Sequence, residues 1–82
     1  MIDLIRIREG CGESEYDWFT TAEPKETNKK ILENFFGELD EESNDGSNEK
    51  WLTDSWESNV WVYSRQPITK EEEATLYKLG VI

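Results

Sequence analysis

Carboxylates dominate the side chains of this sequence that could do chemistry. Nineteen Asp and Glu residues stand against nine Lys and Arg, and there is no histidine. Two carboxylates can act together as the acid and base of a glycosidase, but they need an enclosed cleft that shifts a pKa. An 82-residue chain has little room for such a cleft. The lack of histidine also removes Ser-His-Asp and Cys-His catalysis. We therefore expect a protein that is not an enzyme, and no residue is assigned a catalytic role.

The remaining reactive group is a single thiol. Cys11 lies between two glycines and near Glu9 and Glu13, an electronegative setting that disfavours the thiolate. One cysteine allows no intramolecular disulfide and is typical of a reducing compartment. No phosphate-binding glycine motif is present, and we expect no cofactor.

The most acidic segment, residues 38–50, is also rich in Ser, Asn and Gly, as calcium loops are. If Gly46 is the sixth position of an EF-hand loop, Leu52 occupies the twelfth, where a bidentate glutamate is required. The spacing therefore excludes a dedicated EF-hand, and no metal site is predicted. We interpret the segment as an acidic loop within a single domain, residues 1–82.

Binding through fixed negative charge is the chemistry that the carboxylates support best. In "ESEYDW" the acids alternate with aromatics, so a strand would place its acids on one face, about 6.6 Å apart. That interval is comparable to the spacing of phosphates along one DNA strand. The candidate acidic contacts are Glu13, Glu15, Asp17, Glu38, Asp40, Glu41, Glu42, Asp45, Glu49, Asp54 and Glu57.

The first half of the chain predicts two strands and a helix. Ile5 and Ile7 alternate with Arg6 and Arg8, which is the period of a half-buried strand. "GCG" predicts a turn into a second strand that carries Tyr16 and Trp18 on one face. A helix is predicted over about 24–37, with Pro24 in its first turn, Gly37 at its end and an apolar stripe made of Ile31, Leu32, Phe35, Phe36 and Leu39.

The second half predicts two more strands and a second helix. "KWLTDSW" and "VWVYS" are typical of strands, with 57–59 as the turn between them. Thr69 and Glu72 form a capping box at the start of a helix, and Gly80 suits a Schellman ending with Leu76 and Val81. The order β-β-α-β-β-α predicts an α+β fold, a small antiparallel sheet of three to four strands with two helices packed on it.

Four tryptophans in so short a chain need an explanation. Large aromatics dominate small cores, and we expect Trp18 and Trp61 there. Trp51 and Trp56 are five positions apart, an odd number, and would point to opposite faces of a strand. These two are the candidate aromatic contacts with a partner, at least partly exposed.

The net charge of −10 limits the kinds of partner that the chain can bind. It repels nucleic acid and anionic membranes and attracts cationic surfaces, so we expect a basic protein partner, no direct nucleic acid and no membrane. No apolar run is long enough for a signal peptide or a membrane span, which favours a cytoplasmic location. The oligomeric state is not indicated.

In size, acidity and compact α+β pattern the chain resembles the small phage-encoded inhibitors of bacterial defence, which include DNA-mimic anti-restriction proteins and many anti-CRISPR proteins. The resemblance is one of composition and involves no motif. It implies a stoichiometric inhibitor, acting in the host cytoplasm, that blocks the nucleic-acid-binding surface of a nuclease complex.

Three hypotheses follow. The first is an acidic inhibitor that occupies the nucleic-acid-binding surface of a basic protein or nuclease complex. The second is a general interaction adaptor that uses Trp51, Trp56 and the stripe from Ile31 to Leu39. The third is a small-ligand module, with a pocket of tryptophan and carboxylate that holds a nucleotide base or sugar.

Overall fold

The computed structural model describes residues 1–11, 13–45, 48–53 and 58–82, with the side chains at 11, 40–45, 48 and 49 outside the description. Five strands and two helices occur in these ranges: β1 (Ile2–Cys11), β2 (Ser14–Ala22), α1 (Asn28–Phe36), β3 (Leu39–Asp45), β4 (Asn48–Thr53), β5 (Asn59–Ile68) and α2 (Lys70–Lys78). The strands form one antiparallel sheet in the order β2-β1-β5-β4-β3. The predicted α+β class, an antiparallel sheet with two helices, is confirmed.

The additional strand occupies the segment that the sequence predicts as a loop. Most of residues 38–50 belong to β3 and the first half of β4, which pair from Leu39–Thr53 to Asp45–Asn48. Asp, Asn and Ser have poor strand propensity, which is why the composition indicates a loop. Pairing with a neighbouring strand outweighs that preference, because propensity in a sheet depends strongly on the surroundings.

The core lies on the face of the sheet that α1 covers. Ile5 and Ile7 of β1 are fully buried there, as their alternation predicts, together with Val60 of β5. Ile31 and Leu32 of α1 complete this cluster, and both are buried. The opposite face carries Arg6, Arg8 and the other alternate side chains.

Helix α1 begins later than the sequence predicts. Its N-cap is Thr27, whose hydroxyl accepts a hydrogen bond from the backbone N–H of Lys30 at 3.2 Å. Pro24 lies in the preceding turn and not in the first turn of the helix. Arg65 holds that turn, because its guanidinium donates to the backbone carbonyls of Glu26 (2.7 Å) and Glu23 (3.3 Å).

Both predicted ends of α2 are confirmed. The hydroxyl of Thr69 accepts from the N–H of Glu72 at 3.1 Å, and the carboxylate of Glu72 accepts from the N–H of Thr69 at 3.0 Å. At the other end Gly80 has φ +77°, and the N–H of Val81 donates to the carbonyl of Leu76 at 2.9 Å. These bonds complete a capping box and a Schellman motif. The helix buries none of its side chains, so its packing on the sheet is lighter than that of α1.

No helix in the described ranges is both long and apolar enough to cross a membrane.

Candidate protein-interaction surface

Three exposed aromatic side chains lie together beside one edge of the sheet: Tyr16 and Trp18 of β2, and Phe35 of α1, here called the aromatic patch. They are 52%, 43% and 39% exposed. The ring centroids of Trp18 and Phe35 are 6.0 Å apart. Phe35 also makes an edge contact with the half-buried Phe36, at 4.9 Å. The contact of Trp18 with Phe35 therefore joins the strand to the helix, and Tyr16 lies on the same strand face two residues away.

The exposure of Trp18 contradicts its predicted place in the core, and the geometry of α1 explains the difference. Trp18 pairs with Ile7, so it does lie on the face that α1 covers. The nine-residue helix spans about 13 Å, whereas the nine-residue strand β2 spans about 30 Å. Burial along β2 rises toward Ala22 and is lost toward Ser14, so the helix covers only the far end of the strand.

Trp18 has a polar partner in spite of its exposure. Its indole N–H donates to Oε1 of Glu9 at 3.0 Å. Glu9 also lies opposite Tyr16 in the pairing of β1 with β2. The carboxylate therefore orients the indole within the patch and adds negative charge to it. An exposed aromatic that is already oriented loses less conformational entropy when a partner covers it.

The other tryptophans divide between buried positions and the undescribed part of the chain. Trp61 is buried, as predicted, but it pairs with Arg8 and so lies on the face opposite the core cluster. Its ring lies beside Gly10, where an added Cβ would be 3.7 Å away. Trp51 is also buried, so its predicted exposure is wrong. It pairs with Val60, which places it on the face that α1 covers. Trp56 lies outside the described residues.

The acidic row predicted on β2 is interrupted by the chain's own arginines. Asp17 accepts hydrogen bonds from Nε of Arg8 at 2.9 Å and from Nε of Arg6 at 3.1 Å. These bonds lower the pKa of Asp17 below its ordinary value, and the bond from Arg6 has the larger effect. In turn, the hydrogen bond to Asp17 raises the pKa of Arg8. Glu13 and Glu15 remain as exposed acids, with Glu13 in the turn before β2.

Arg6, Arg8, Asp17 and Tyr63 form an arginine cluster on the face opposite the core. The guanidinium carbons of Arg8 and Arg6 lie 3.9 Å and 5.0 Å from the centre of the Tyr63 ring. No prediction from the sequence included this cluster. The turn predicted at 10–12 does not give it, because Gly10 and Cys11 belong to β1 and the register places Arg8 opposite Asp17.

The other predicted acidic contacts are only partly described. Glu38 is exposed, just before β3. Five acids are placed by their backbone alone, on β3 and β4: Asp40, Glu41, Glu42, Asp45 and Glu49. Asp54 and Glu57 lie outside the described residues. In the described part of the chain, no three Asp, Glu or Cys side chains come together in a way that could hold a metal ion.

A cleft of about 480 Å³ lies between α2 and the sheet. Its lining includes Leu4, Ile68 and Leu76, with Glu71 and Glu72 at its polar side, and no tryptophan of the described residues lines it. Glu72 is already engaged in the capping box. The cleft therefore lacks the pairing of tryptophan with carboxylate expected for a nucleotide pocket.

Compared with family models, curated protein sequences and solved structures, the chain matches none of them.

Proposed function

We propose that this chain is a non-enzymatic binding protein for a basic partner protein, and that the aromatic patch is its anchor. The observation that carries the proposal is the exposure of Tyr16, Trp18 and Phe35 side by side, with the indole of Trp18 held by Glu9. Contiguous exposed apolar surface on a small protein marks an interaction site. Tryptophan and tyrosine are also the side chains that most often dominate binding energy at interfaces.

The charge of the chain selects the kind of partner. Glu9 lies within the patch, Glu13 and Glu15 lie near it on β2 and its turn, and the whole chain carries −10. Such a field speeds the approach of a cationic surface and opposes that of an anionic one. Burial of the aromatics would then supply most of the affinity, while the acids would supply the rate of association and its salt dependence.

Affinity capture from the source organism tests the proposal, with a matched pair of variants. Trp18→Ala removes the centre of the patch, which is 43% exposed, and Tyr77→Ala removes a more exposed aromatic on α2, at 60%. We expect Trp18→Ala to weaken the captured complex at least about tenfold, which is the effect of losing an interface hot spot. Tyr77→Ala should bind as the unaltered chain does. Equal binding by both variants, or a captured partner that is acidic, would contradict the proposal.

A second candidate function is inhibition through the nucleic-acid-binding surface of the partner, as in DNA mimicry by anti-defence proteins. It is favoured by one observation: Asp40, Glu41, Glu42 and Asp45 lie on a strand at the edge of the sheet and not in a loop. Alternate residues of a regular strand lie on one face about 6.6 Å apart, the interval that imitation of a phosphate chain requires. The register shift between Leu39 and Glu42 interrupts this alternation at Asp40 and Glu41. The same argument is weaker for β2, because the carboxylate of Asp17 forms ion pairs with Arg6 and Arg8.

Competition separates the two candidates. If the chain occupies a nucleic-acid site, duplex DNA or RNA added to the captured complex should release it, and the affinity of the chain for the partner should itself fall steeply as salt is raised. If the partner binds the chain and a nucleic acid at the same time, the inhibitor hypothesis fails and the binding function remains.

A further inference from the structure

Strand β2 is an edge of the sheet that lacks lysine, proline and a β-bulge. It pairs with β1 alone among the described strands. Edge strands commonly carry lysine, proline or a β-bulge, which prevent another chain from pairing with them. Ser14–Ala22 contains no lysine and no proline, and its pairing with β1 runs without a register shift from Asp3–Ala22 to Cys11–Ser14.

The opposite edge, β3, has no lysine or proline either, but it differs from β2 in two other respects. The pairing of β3 with β4 contains a register shift between Leu39 and Glu42. β3 also carries four acids in seven residues, which opposes pairing with a second acidic strand. The register shift and the denser negative charge therefore distinguish β3 from β2, whose pairing is regular and which carries two acids in nine residues.

The half of β2 that α1 does not cover, residues 14–18, presents different side chains on the two faces of the sheet. Tyr16 and Trp18 of the aromatic patch lie on one face, and Glu15 and Asp17 lie on the other. Asp17 is held by Arg6 and Arg8, so Glu15 is the acid of this half that has no arginine bonded to it in the described structure. A strand added here would meet aromatic rings on one face and a carboxylate on the other.

We propose that the partner binds by adding an extended segment to the free edge of β2, with an apolar side chain against Tyr16 and Trp18 and a basic one beside Glu15. Main-chain hydrogen bonds would supply affinity, and the alternating side chains would supply specificity. This inference rests on the proposed function and names its binding mode. A second copy of the chain is disfavoured as the occupant, because each copy carries −10 and two β2 strands would bring like charges together.

A synthetic peptide tests the binding mode without the natural partner. The probe is a capped nine-residue peptide in which lysine and valine alternate. Its control has the same side chains, with every backbone nitrogen methylated, so that it keeps its charge but can donate no main-chain hydrogen bond from either edge. Binding is followed on the ¹⁵N-labelled chain by amide shifts and amide hydrogen exchange.

We expect the unmethylated peptide to slow hydrogen exchange at alternate backbone amides between Ser14 and Thr20 at least about tenfold, because an amide in a strand pairing exchanges only when that pairing opens. The methylated peptide should bind at least about tenfold more weakly. Glu15→Lys should also weaken binding, whereas Glu71→Lys, an equal change of charge on α2, should weaken it less.

Three results would overturn the edge-pairing inference. One is equal binding by the methylated and unmethylated peptides. Another is a shift of the Trp18 indole resonance without slower exchange in β2, which would leave the aromatic patch as an anchor and so spare the proposed function. The third is no binding of the peptide up to millimolar concentration. Failure of the proposed function itself would show separately, as unchanged capture by Trp18→Ala.

Discussion

The indole N–H of Trp18 donates a 3.0 Å hydrogen bond to the carboxylate of Glu9 on the neighbouring strand. The two residues are not directly opposite, since Trp18 pairs with Ile7 and Glu9 pairs with Tyr16. The bond is therefore a diagonal contact across two strands, within reach of long side chains. It fixes the largest exposed side chain of the sheet edge and places a negative charge beside it.

Removing that acceptor should loosen Trp18 without unfolding the chain. Glu9→Ala leaves the indole N–H to solvent, whereas Glu9→Gln keeps an acceptor oxygen and removes only the charge. We expect faster exchange of the Trp18 indole proton in Glu9→Ala and a smaller change in Glu9→Gln, with the free energy of unfolding altered by less than about 0.5 kcal/mol in each. ¹⁵N spectra measure the exchange of the indole proton, and urea unfolding measures the free energy of unfolding. Identical indole exchange in the two variants would show that the bond does not orient Trp18.

Trp51 and Trp18 are the most buried and the most exposed of the described tryptophans, so replacing each should change the stability of the chain by very different amounts. Trp51 is 4% exposed in the core, and Trp18 is 43% exposed on the patch. Trp51→Ala should cost about 3–5 kcal/mol in the free energy of unfolding, as expected for a buried aromatic. Trp18→Ala should cost less than about 1 kcal/mol.

Urea unfolding measures both variants, and Trp51→Phe gives a milder core variant in case Trp51→Ala does not fold. Similar losses for Trp18→Ala and Trp51→Ala would mean that Trp18 belongs to the core after all, and that its role at a binding surface is secondary.

The ion pairs of Asp17 predict a specific dependence of stability on pH. Hydrogen bonds from Arg6 and Arg8 lower the pKa of Asp17 below its ordinary value of 3.8. A lowered pKa in the folded chain adds stability above the ordinary value, and this contribution is lost as the pH falls through the lowered value. The unaltered chain should therefore be more stable than Asp17→Asn at pH 6, and the difference should shrink progressively below about pH 4.

Thermal unfolding of both chains from pH 7 to pH 2 provides the comparison. Arg8→Gln in the Asp17→Asn background is the control, because it should add little further acid dependence once the carboxylate is gone. A difference between the chains that stays constant over this range would contradict the ion-pair account.

Helix α2 should loosen independently of the sheet. Its ends are held by the Thr69 capping box and the Schellman motif, but it buries no side chain. Thr69→Ala should cost about 1 kcal/mol in helix stability. Because so little of the sheet depends on α2, we expect faster amide exchange over Lys70–Lys78 and unchanged exchange in β1 and β5.

Thr75→Ala serves as the control for Thr69→Ala. The hydroxyl of Thr75 donates to the backbone carbonyl of Glu71 within the helix, a bond that does not cap an end. Exchange that accelerates equally in α2 and β1 after Thr69→Ala would mean that the helix and the sheet unfold as one unit.

Local patterns in the sequence predicted those parts of the fold that local chemistry determines. The alternation of Ile5 with Arg6 predicted a strand with one buried face, and the Thr69–Glu72 pair predicted the start of α2, because each pattern depends on residues close together in the chain. α1 was placed less well. Thr27 is a better N-cap than the start implied by Pro24, but the turn before it is held by Arg65, which is 39 residues away from Glu26.

The candidate site depended on contacts that no local pattern reveals. The alternation of side chains along a strand correctly predicted that Tyr16 and Trp18 lie on the face opposite Asp17. It does not predict that β2 is an edge strand or that α1 stops short of Trp18. The same limit applies to Trp51, whose burial follows from its pairing with Val60. Exposure in a small sheet is set by the strand order and by the length of the covering helix, and both are properties of the whole fold.

Site-specific photo-crosslinking tests the central claim most directly. p-Benzoylphenylalanine placed at Tyr16, in the aromatic patch, is compared with the same group placed at Tyr77 on α2 in cells of the source organism; both tyrosines are exposed. The account predicts a crosslink to one basic protein from position 16, lost when Trp18→Ala is added, and none to that protein from position 77. A crosslink to the same partner from position 77 but not from position 16 would contradict it.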